Sequence, residues 1–277
     1  MSRFFLVLAC ASAMLLAQES ANSNWSDQAE LSIINSGGNS EAFTFGLANN
    51  FAYKWDGYEF SLKFGANKVE STKTTRTAVG SLEDYEINED SVTETTQDKY
   101  YFSAAAQKKY SERLHGFVGI DWDRNEPAGI KNRYAASVGI TNQWRDTDTR
   151  KFRTSYGLQY TDETPVDEPP NFDGAYAGLR FELNHFHGFT ERTKFANDWV
   201  SVFNLEEGED WRSDMKLAVI SNLSDKMALK IGLNLIYDNQ PAFKKIPLLT
   251  DGSPSGTVLY ELDELDYVFT TSIVLNF

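Results

Sequence analysis

The three histidines, His115, His185 and His187, are the side chains of this chain with the most versatile chemistry. A lipid-active hydrolase would need a histidine within reach of a serine hydroxyl, so that the imidazole can accept the serine proton. Two positions beyond His115 lies Phe117, and two beyond His185 lies His187, so no such pair exists along one strand. A dyad between strands stays open as a distant alternative, although no Gly-x-Ser-x-Gly motif or glycine-rich phosphate loop occurs. We therefore predict that the chain is not an enzyme and binds no cofactor.

His185 and His187 fall on one face of a predicted strand, because side chains two residues apart point the same way. Two ring nitrogens could bind a metal ion, but the sequence offers no evident third ligand. We expect no metal site here and interpret the pair as side chains close to a turn at a membrane interface.

Carboxylates are concentrated in two predicted loops, and they suggest a second chemistry, the binding of hard cations. Oxygen ligands suit Ca²⁺ or Mg²⁺, and such an ion could bridge these loops to lipopolysaccharide phosphates. No ligand-loop spacing occurs, so a solvated acidic surface is the simpler interpretation. The acidic residues are Glu83, Asp84, Glu86, Glu89, Asp90, Glu94 and Asp98 in one segment, with Asp162, Glu163, Asp167 and Glu168 in the other.

Ten further charged residues alternate with apolar neighbours along predicted strands, which places them on the second face of a sheet. Charges of both signs could pair between strands as a purely structural ladder, or could line a water-filled pore. Basic residues outnumber acidic ones in this set, which favours anions if the pore conducts. The candidate lumen-lining residues are Lys63, Arg133, Arg153, Arg180, Glu182, Asp198, Arg212, Asp214, Lys216 and Lys230.

About twelve segments carry this alternation of apolar and polar side chains. In the last one, Leu265 and Tyr267 begin an alternation that runs to the aromatic Phe277. Tight connections such as Asp56-Gly57 alternate with long ones at 71–97, 123–129, 161–173 and 239–264, as short periplasmic turns and long outer loops do in bacterial barrels. The sequence therefore predicts an all-β fold, a transmembrane antiparallel up-and-down β-barrel of about 12 strands.

Aromatic residues lie at the strand ends on the apolar register, where a barrel has its interfacial girdles. The girdle at the short turns is predicted to contain Trp55, Tyr58, Tyr110, Trp144 and Phe152. The girdle near the long loops is predicted to contain Trp122, Tyr160, Tyr176 and Trp211.

Residues 1–17 have the pattern of a secretory signal, with Arg3 before an apolar run and the small Ala17 before Gln18. Residues 18–277 then form one outer-membrane β-barrel domain. Cys10 gives the alternative of a lipoprotein processing site, although the preceding apolar run is short. If Cys10 leaves with the signal, the mature chain contains no cysteine for disulfides or thiolate-metal sites.

The composition is consistent with this location. A net charge of -14 argues against nucleic acid as a partner. The mean hydropathy of -0.44 resembles that of a water-soluble protein, but a barrel turns only alternate residues towards lipid. We predict export to the outer membrane of a Gram-negative bacterium, with lipid and lipopolysaccharide as surroundings and the assembly machinery recognising the strand that ends at Phe277.

Short patterns along the whole mature chain resemble the YdiY-like salt-induced outer membrane proteins, an uncharacterised barrel family. They are Ser36-Gly37-Gly38-Asn39-Ser40, Tyr53-Lys54-Trp55, Arg113-Leu114, Asp121-Trp122-Asp123-Arg124, Arg133-Tyr134, Asp146-Thr147-Asp148, 233–241 and 267–277. The acidic segment 83–98 departs from the family pattern. The resemblance implies an outer-membrane barrel and no particular activity.

The sequence leaves two main functions open. The first is a narrow, porin-like channel for small polar solutes or ions. The second is a non-conducting structural or envelope-stress barrel that responds to salt. A lipid-active outer-membrane enzyme is the distant third.

Overall fold

The computed structural model describes residues 24–36, 40–80, 85–170, 172–250 and 253–277. The predicted signal segment 1–17 lies outside these residues. A 3₁₀ helix spans Glu126–Ala128, and no described helix is long and apolar enough to cross a membrane. The strands are β1 (Trp25–Ser36), β2 (Ser40–Trp55), β3 (Tyr58–Gly80), β4 (Tyr85–Lys109), β5 (Leu114–Asn125), β6 (Ile130–Asp146), β7 (Arg150–Pro165), β8 (Ala175–Gly188), β9 (Thr193–Asn204), β10 (Trp211–Asn222), β11 (Met227–Asp238), β12 (Phe243–Thr250), β13 (Ser253–Glu261) and β14 (Leu265–Asn276).

Twelve of these strands close into one antiparallel barrel, which confirms the predicted fold class. Each strand from β1 to β11 pairs with its neighbour in sequence, and β14 completes the ring between β11 and β1. The seam between β1 and β14 is short, with four paired positions from Gln28↔Asn276 to Leu31↔Ile273. Strands β12 and β13 form a separate two-stranded hairpin.

The outer face of the barrel is an apolar belt, because the alternating apolar residues of neighbouring strands stand side by side. Leu217 pairs with Leu233, and Leu233 pairs with Phe269. On the facing wall, Val138 and Leu158 also pair and remain 54% and 55% exposed. Apolar side chains exposed in a continuous belt are typical of a surface that contacts lipid rather than water.

The two ends of the barrel differ in their connections. At one end, here called the turn end, the strands are joined by tight turns. Asp56 and Gly57 both have positive φ, 28° and 80°, in the two-residue turn between β2 and β3. At the opposite end, here called the hairpin end, β3 and β4 continue beyond the ring and the β12–β13 hairpin emerges.

Aromatic rings lie on the outer face near both ends. At the turn end, the rings of Trp55 and Tyr58 stack with centroids 5.6 Å apart. At the hairpin end, Trp211 contacts Tyr237 at 4.8 Å. The prediction for Tyr176 is wrong, because this residue pairs with Thr161 on the inner face and is only 9% exposed. Its ring lies 5.8 Å from the guanidinium of Arg212. Position 176 faces inward because Ala177 and Leu179 lie on the outer register of β8.

Two segments that the sequence predicts as long loops are strands. Within 71–97, β3 and β4 remain paired, and the hydroxyls of Thr72 and Thr93 hydrogen-bond at 2.8 Å. Within 239–264, β12 pairs with β13. Strands with water on both faces need no apolar alternation, so the periodicity used to predict strands gives no signal there. Strands β5 and β7 likewise extend through Asp123 and Glu163, which the sequence placed in loops.

Candidate lumenal ion-pair site

The structure places the ten predicted lumenal residues on the inner register, opposite the apolar belt. Lys216 illustrates the placement, because it pairs with Asp198 on one side and Asn234 on the other, between positions occupied by Leu217 and Met215. The inner face carries charged and amide side chains on several strands, together with apolar residues such as Phe117, Val200 and Val202. The charges divide into a group near the hairpin end and a group below it.

The group near the hairpin end, here called the upper ion-pair cluster, consists of Lys99, Asp123, Arg133, Glu163, Arg212 and Asp214. The guanidinium of Arg133 donates two hydrogen bonds to the Asp123 carboxylate, at 3.0 and 2.9 Å. Glu163 accepts from Arg133 at 3.3 Å and from Arg212 at 3.2 Å, so one carboxylate joins two arginines. The two parallel hydrogen bonds between Arg133 and Asp123, and the carboxylate that Glu163 shares between two arginines, hold these side chains more firmly than isolated surface ion pairs.

One ion pair of this cluster crosses the lumen. The Lys99 Nζ lies 3.7 Å from an Asp214 carboxylate oxygen. Lys99 belongs to β4 and Asp214 to β10, which stand six places apart in the ring of twelve strands and so on opposite walls. Side chains of the two walls therefore meet at this level and narrow the lumen.

A second contact joins the same walls next to the ion pair. The Lys216 ammonium on β10 lies 5.9 Å from the ring centroid of Tyr101 on β4, within the range of a cation–π interaction. Gly65 makes room for that ring, because a Cβ at this position would lie 2.6 Å from Tyr101 side-chain atoms. Gly65 on β3 thus allows the Tyr101 ring on β4 to extend across the lumen towards Lys216.

The base of the β12–β13 hairpin lies over the mouth above this cluster. A Cβ added at Gly129 would clash with the Cβ of Ala242, so the two backbones approach closely. Gly129 follows β5 and Ala242 follows β11, and these strands also stand six places apart in the ring. Lys245 holds the hairpin further out, since its backbone N–H donates to Asp167 at 2.8 Å.

Below the upper cluster, most charged side chains have partners on the inner wall. Glu30 accepts from Lys230 at 2.7 Å and from Ser272 at 2.6 Å, which links β1, β14 and β11. The remaining contacts are Arg180 with Gln159 at 2.9 Å and with Glu182 at 3.3 Å, and Asn184 with Arg153 and with Asp198, both at 2.6 Å. Lys63 is exposed and forms no ion pair within the described part of the chain.

Four charged residues that the sequence analysis did not assign to the lumen change the charge balance of the inner wall. Asp123 and Glu163 neutralise Arg133 and Arg212, so the predicted excess of basic residues is wrong for the upper cluster. Below that cluster, Glu30 neutralises Lys230. Lys99 was missed as well. Each of these four lies at the correct parity, but in a weakly patterned strand or beyond a predicted strand end, and extending the strands by parity would have found them.

The histidines and the acidic residues that the sequence suggested as further sites lie on separate surfaces of the barrel. His185 and His187 share the outer face near the turn end, with rings 6.3 Å apart, whereas His115 belongs to the inner register. Among the described residues, no group of three His, Cys, Asp or Glu side chains has the geometry of a metal site. Glu86, Glu89, Asp90 and Glu94 lie on the β4 extension, while Glu83 and Asp84 fall outside the described residues.

Comparison with known proteins gives the family, and several solved structures are similar over most of the chain. Residues 29–260 match the family described as protein of unknown function, DUF481, and the chain belongs to that family. No curated protein matches the sequence. Among solved structures, the NanC porin is similar with a TM-score of 0.46 and 8% identity, over 91% of this chain and 98% of that one. The translocator domain of the autotransporter NalP from Neisseria meningitidis has a TM-score of 0.41 and 10% identity, over 100% and 95%. The outer membrane channel DcaP of Acinetobacter baumannii has a TM-score of 0.38 and 9% identity, over 95% and 100%.

Proposed function

We propose that this DUF481 protein is an outer-membrane barrel that forms a narrow channel for ions or small polar solutes, with the upper ion-pair cluster as its constriction. The observation that carries the proposal is the 3.7 Å contact between Lys99 and Asp214, which bridges opposite walls of a polar lumen. At this constriction a passing solute meets charged groups rather than a packed apolar core.

The membrane location is supported by the apolar belt and the aromatic residues at both ends. The signal pattern in 1–17 and the aromatic Phe277 at the end of the closing strand support export and recognition by the assembly machinery. We further propose that the chain belongs with the YdiY-like salt-induced barrels. Outer-membrane lipid and lipopolysaccharide are the proposed surroundings, with divalent cations as partners of the acidic β4 extension.

The exposure of the cluster favours a path that contains water. Moving an ion pair fully away from water costs several kcal/mol for each charge. Lys99 and Asp214 keep side-chain exposures of 18% and 30%, so both remain in contact with solvent. A hydrated pair of this kind can separate when the lysine changes rotamer, and a passing ion can then replace one partner.

A second function is favoured by a specific observation. The hairpin base at Ala242 and Leu262 lies over the mouth, directly above a cluster that already joins both walls. A barrel closed twice in this way would serve as a non-conducting structural or envelope-stress protein. The two functions differ in one measurable property, the current through the lumen.

The test is single-channel conductance of the purified protein in a planar bilayer. We expect small steps from the wild type and larger steps from the double variant Lys99→Ala with Asp214→Ala, because the cross-lumen contact is gone. The matched control is Lys54→Ala with Glu59→Ala, which removes an exposed ion pair at the turn end. Absence of current from both the wild type and the Lys99 and Asp214 variant would refute the channel and favour the closed barrel.

A further inference from the structure

The outer surface at the turn end contains a cleft of about 420 Å³, here called the rim cleft. Its floor is formed by the outward side chains of β7, β8 and β9, where Phe152 pairs with His185 and His185 pairs with Asn197. Its edge is basic. The lining residues are Arg145, Arg150, Lys151, Phe152, Leu183, His185 and Asn197.

The two arginines are aimed at this cleft by the strand register. Arg145 pairs with Phe152 and Arg150 pairs with His187, so both lie on the outer register with the apolar belt. Lys151 forms a long contact of 3.8 Å with Asp146, and both of those side chains are more than half exposed. Within the described residues, neither Arg145 nor Arg150 forms an ion pair, so their guanidinium groups can bind an anion.

The depth of the cleft matches a membrane interface. Trp144 precedes Arg145, is 58% exposed on the outer face, and donates its indole N–H to the Thr154 hydroxyl at 2.8 Å. Exposed tryptophans on a lipid-facing register lie at headgroup level, where phosphate groups are concentrated. The arginines one step towards the turn end therefore lie at the level of lipid phosphates.

The floor of the cleft also contains the amide of Asn197, which lies on the same outer register as the apolar Leu217. The Asn197 Oδ1 is buried and has no hydrogen-bond donor among the described residues. A buried carbonyl without a donor is costly in contact with hydrocarbon, and a bound headgroup or its water can satisfy it. Phe152 and Leu183 beside it offer apolar contact to an acyl chain.

We propose that the rim cleft binds the phosphate of a phospholipid, with Arg145 and Arg150 as the anion ligands and the acyl chains along Phe152 and Leu183. The inference depends on the membrane placement given above but not on conduction, because the cleft lies outside the barrel. The chemistry recognised is a phosphate, and the attached acyl chains distinguish a lipid from free phosphate.

The test is native mass spectrometry of the full barrel in detergent, with phosphatidylglycerol, chain-matched diacylglycerol and inorganic phosphate as separate probes. We expect a phosphatidylglycerol adduct, none with diacylglycerol, and no displacement by equimolar inorganic phosphate. The double variant Arg145→Gln with Arg150→Gln should lose about tenfold or more in adduct affinity, because two charges near a phosphate are removed. The control is Lys109→Gln with Arg113→Gln, which makes the same charge change at the next turn.

Retention of lipid by the Arg145 and Arg150 variant, or an equal loss in the control, would overturn the assignment. Binding of inorganic phosphate as tight as that of the lipid would overturn the lipid as ligand. Boiled and unboiled samples on a detergent gel establish that each variant is folded. Conductance of the same variants separates the two proposals, since a silent barrel that still binds lipid through Arg145 and Arg150 refutes only the channel.

Discussion

Replacing Arg133 by methionine should destabilise the barrel, because two carboxylates lose their shared partner. Arg133 donates two hydrogen bonds to Asp123 and a third to Glu163. Removing one member of a buried pair costs about 3–5 kcal/mol, since the remaining charge stays away from water. The side chains of Arg133 and Asp123 are 13% and 21% exposed, so we expect the lower end, about 3 kcal/mol.

The free energy of unfolding can be measured by urea titration in lipid vesicles, followed by tryptophan fluorescence. Lys54→Met is the control, because the Lys54–Glu59 pair has side-chain exposures of 69% and 35% and an exposed pair contributes about 0–1 kcal/mol. Adding Asp123→Asn to the Arg133 variant should recover part of the loss, because the orphaned charge is removed. A cost for Arg133→Met no larger than for the control would refute the idea that the upper cluster is a coupled, partly buried network.

Three further predictions concern the belt, the inner wall and the hairpin. Leu233→Arg should lower the free energy of unfolding by about 2–4 kcal/mol if the residue lies near the midplane of the membrane. Asn234→Ser on the inner face should lower it far less. Equal unfolding midpoints for the two variants would show that the register is wrong. Lys63→Glu with Arg153→Glu replaces two inner cations that form no salt bridge among the described residues, and should shift the reversal potential towards cation selectivity at about 0.1 M salt or below, where the Debye length is about 10 Å or more. Unchanged selectivity would place both residues outside the permeation path. Replacing 243–261 by a short glycine-serine linker should raise conductance without lowering the unfolding midpoint, and a barrel that conducts no better would show that the hairpin does not limit the current.

The sequence predicts most of the fold because one strong regularity, the alternation along a strand with one apolar face, repeats about twelve times. Leu229, Ile231 and Leu233 are sufficient to define the orientation of β11, and the inner position of Lys230 follows. The method fails where a strand no longer has one apolar face. Glu163 was placed in a loop for this reason, and the paired extensions of β3 and β4 were missed because both of their faces are polar.

The candidate site was harder to predict from the sequence. Its main contact depends on the order of the strands around the barrel, and no single strand reveals it. Nothing local to Lys99 or Asp214 indicates that they meet. Their proximity follows from the position of β4 opposite β10 and from the size of the ring, together with a glycine at position 65 that allows Tyr101 to lean across. Periodicity shows whether a side chain lies on the inner or the outer face of the barrel, but it does not identify its partner on the opposite wall.

The seam between β1 and β14 is the ladder of the ring with the fewest paired positions. Neighbouring strands such as β1 and β2 share twelve paired positions, whereas β1 and β14 share four. Gln28 and Asn276 hydrogen-bond through their side chains at the seam, although they are 248 residues apart in the sequence. Pairing β1 with β14 is therefore a non-local step, whose loop-closure entropy must be overcome before the contacts form. Glu30 compensates by binding Ser272 on β14 and Lys230 on β11, and thus acts as a latch over the weakest ladder. The amides of β1 that face β14 should consequently exchange hydrogen before those of the longer ladders, and hydrogen exchange at these positions would measure the stability of the seam.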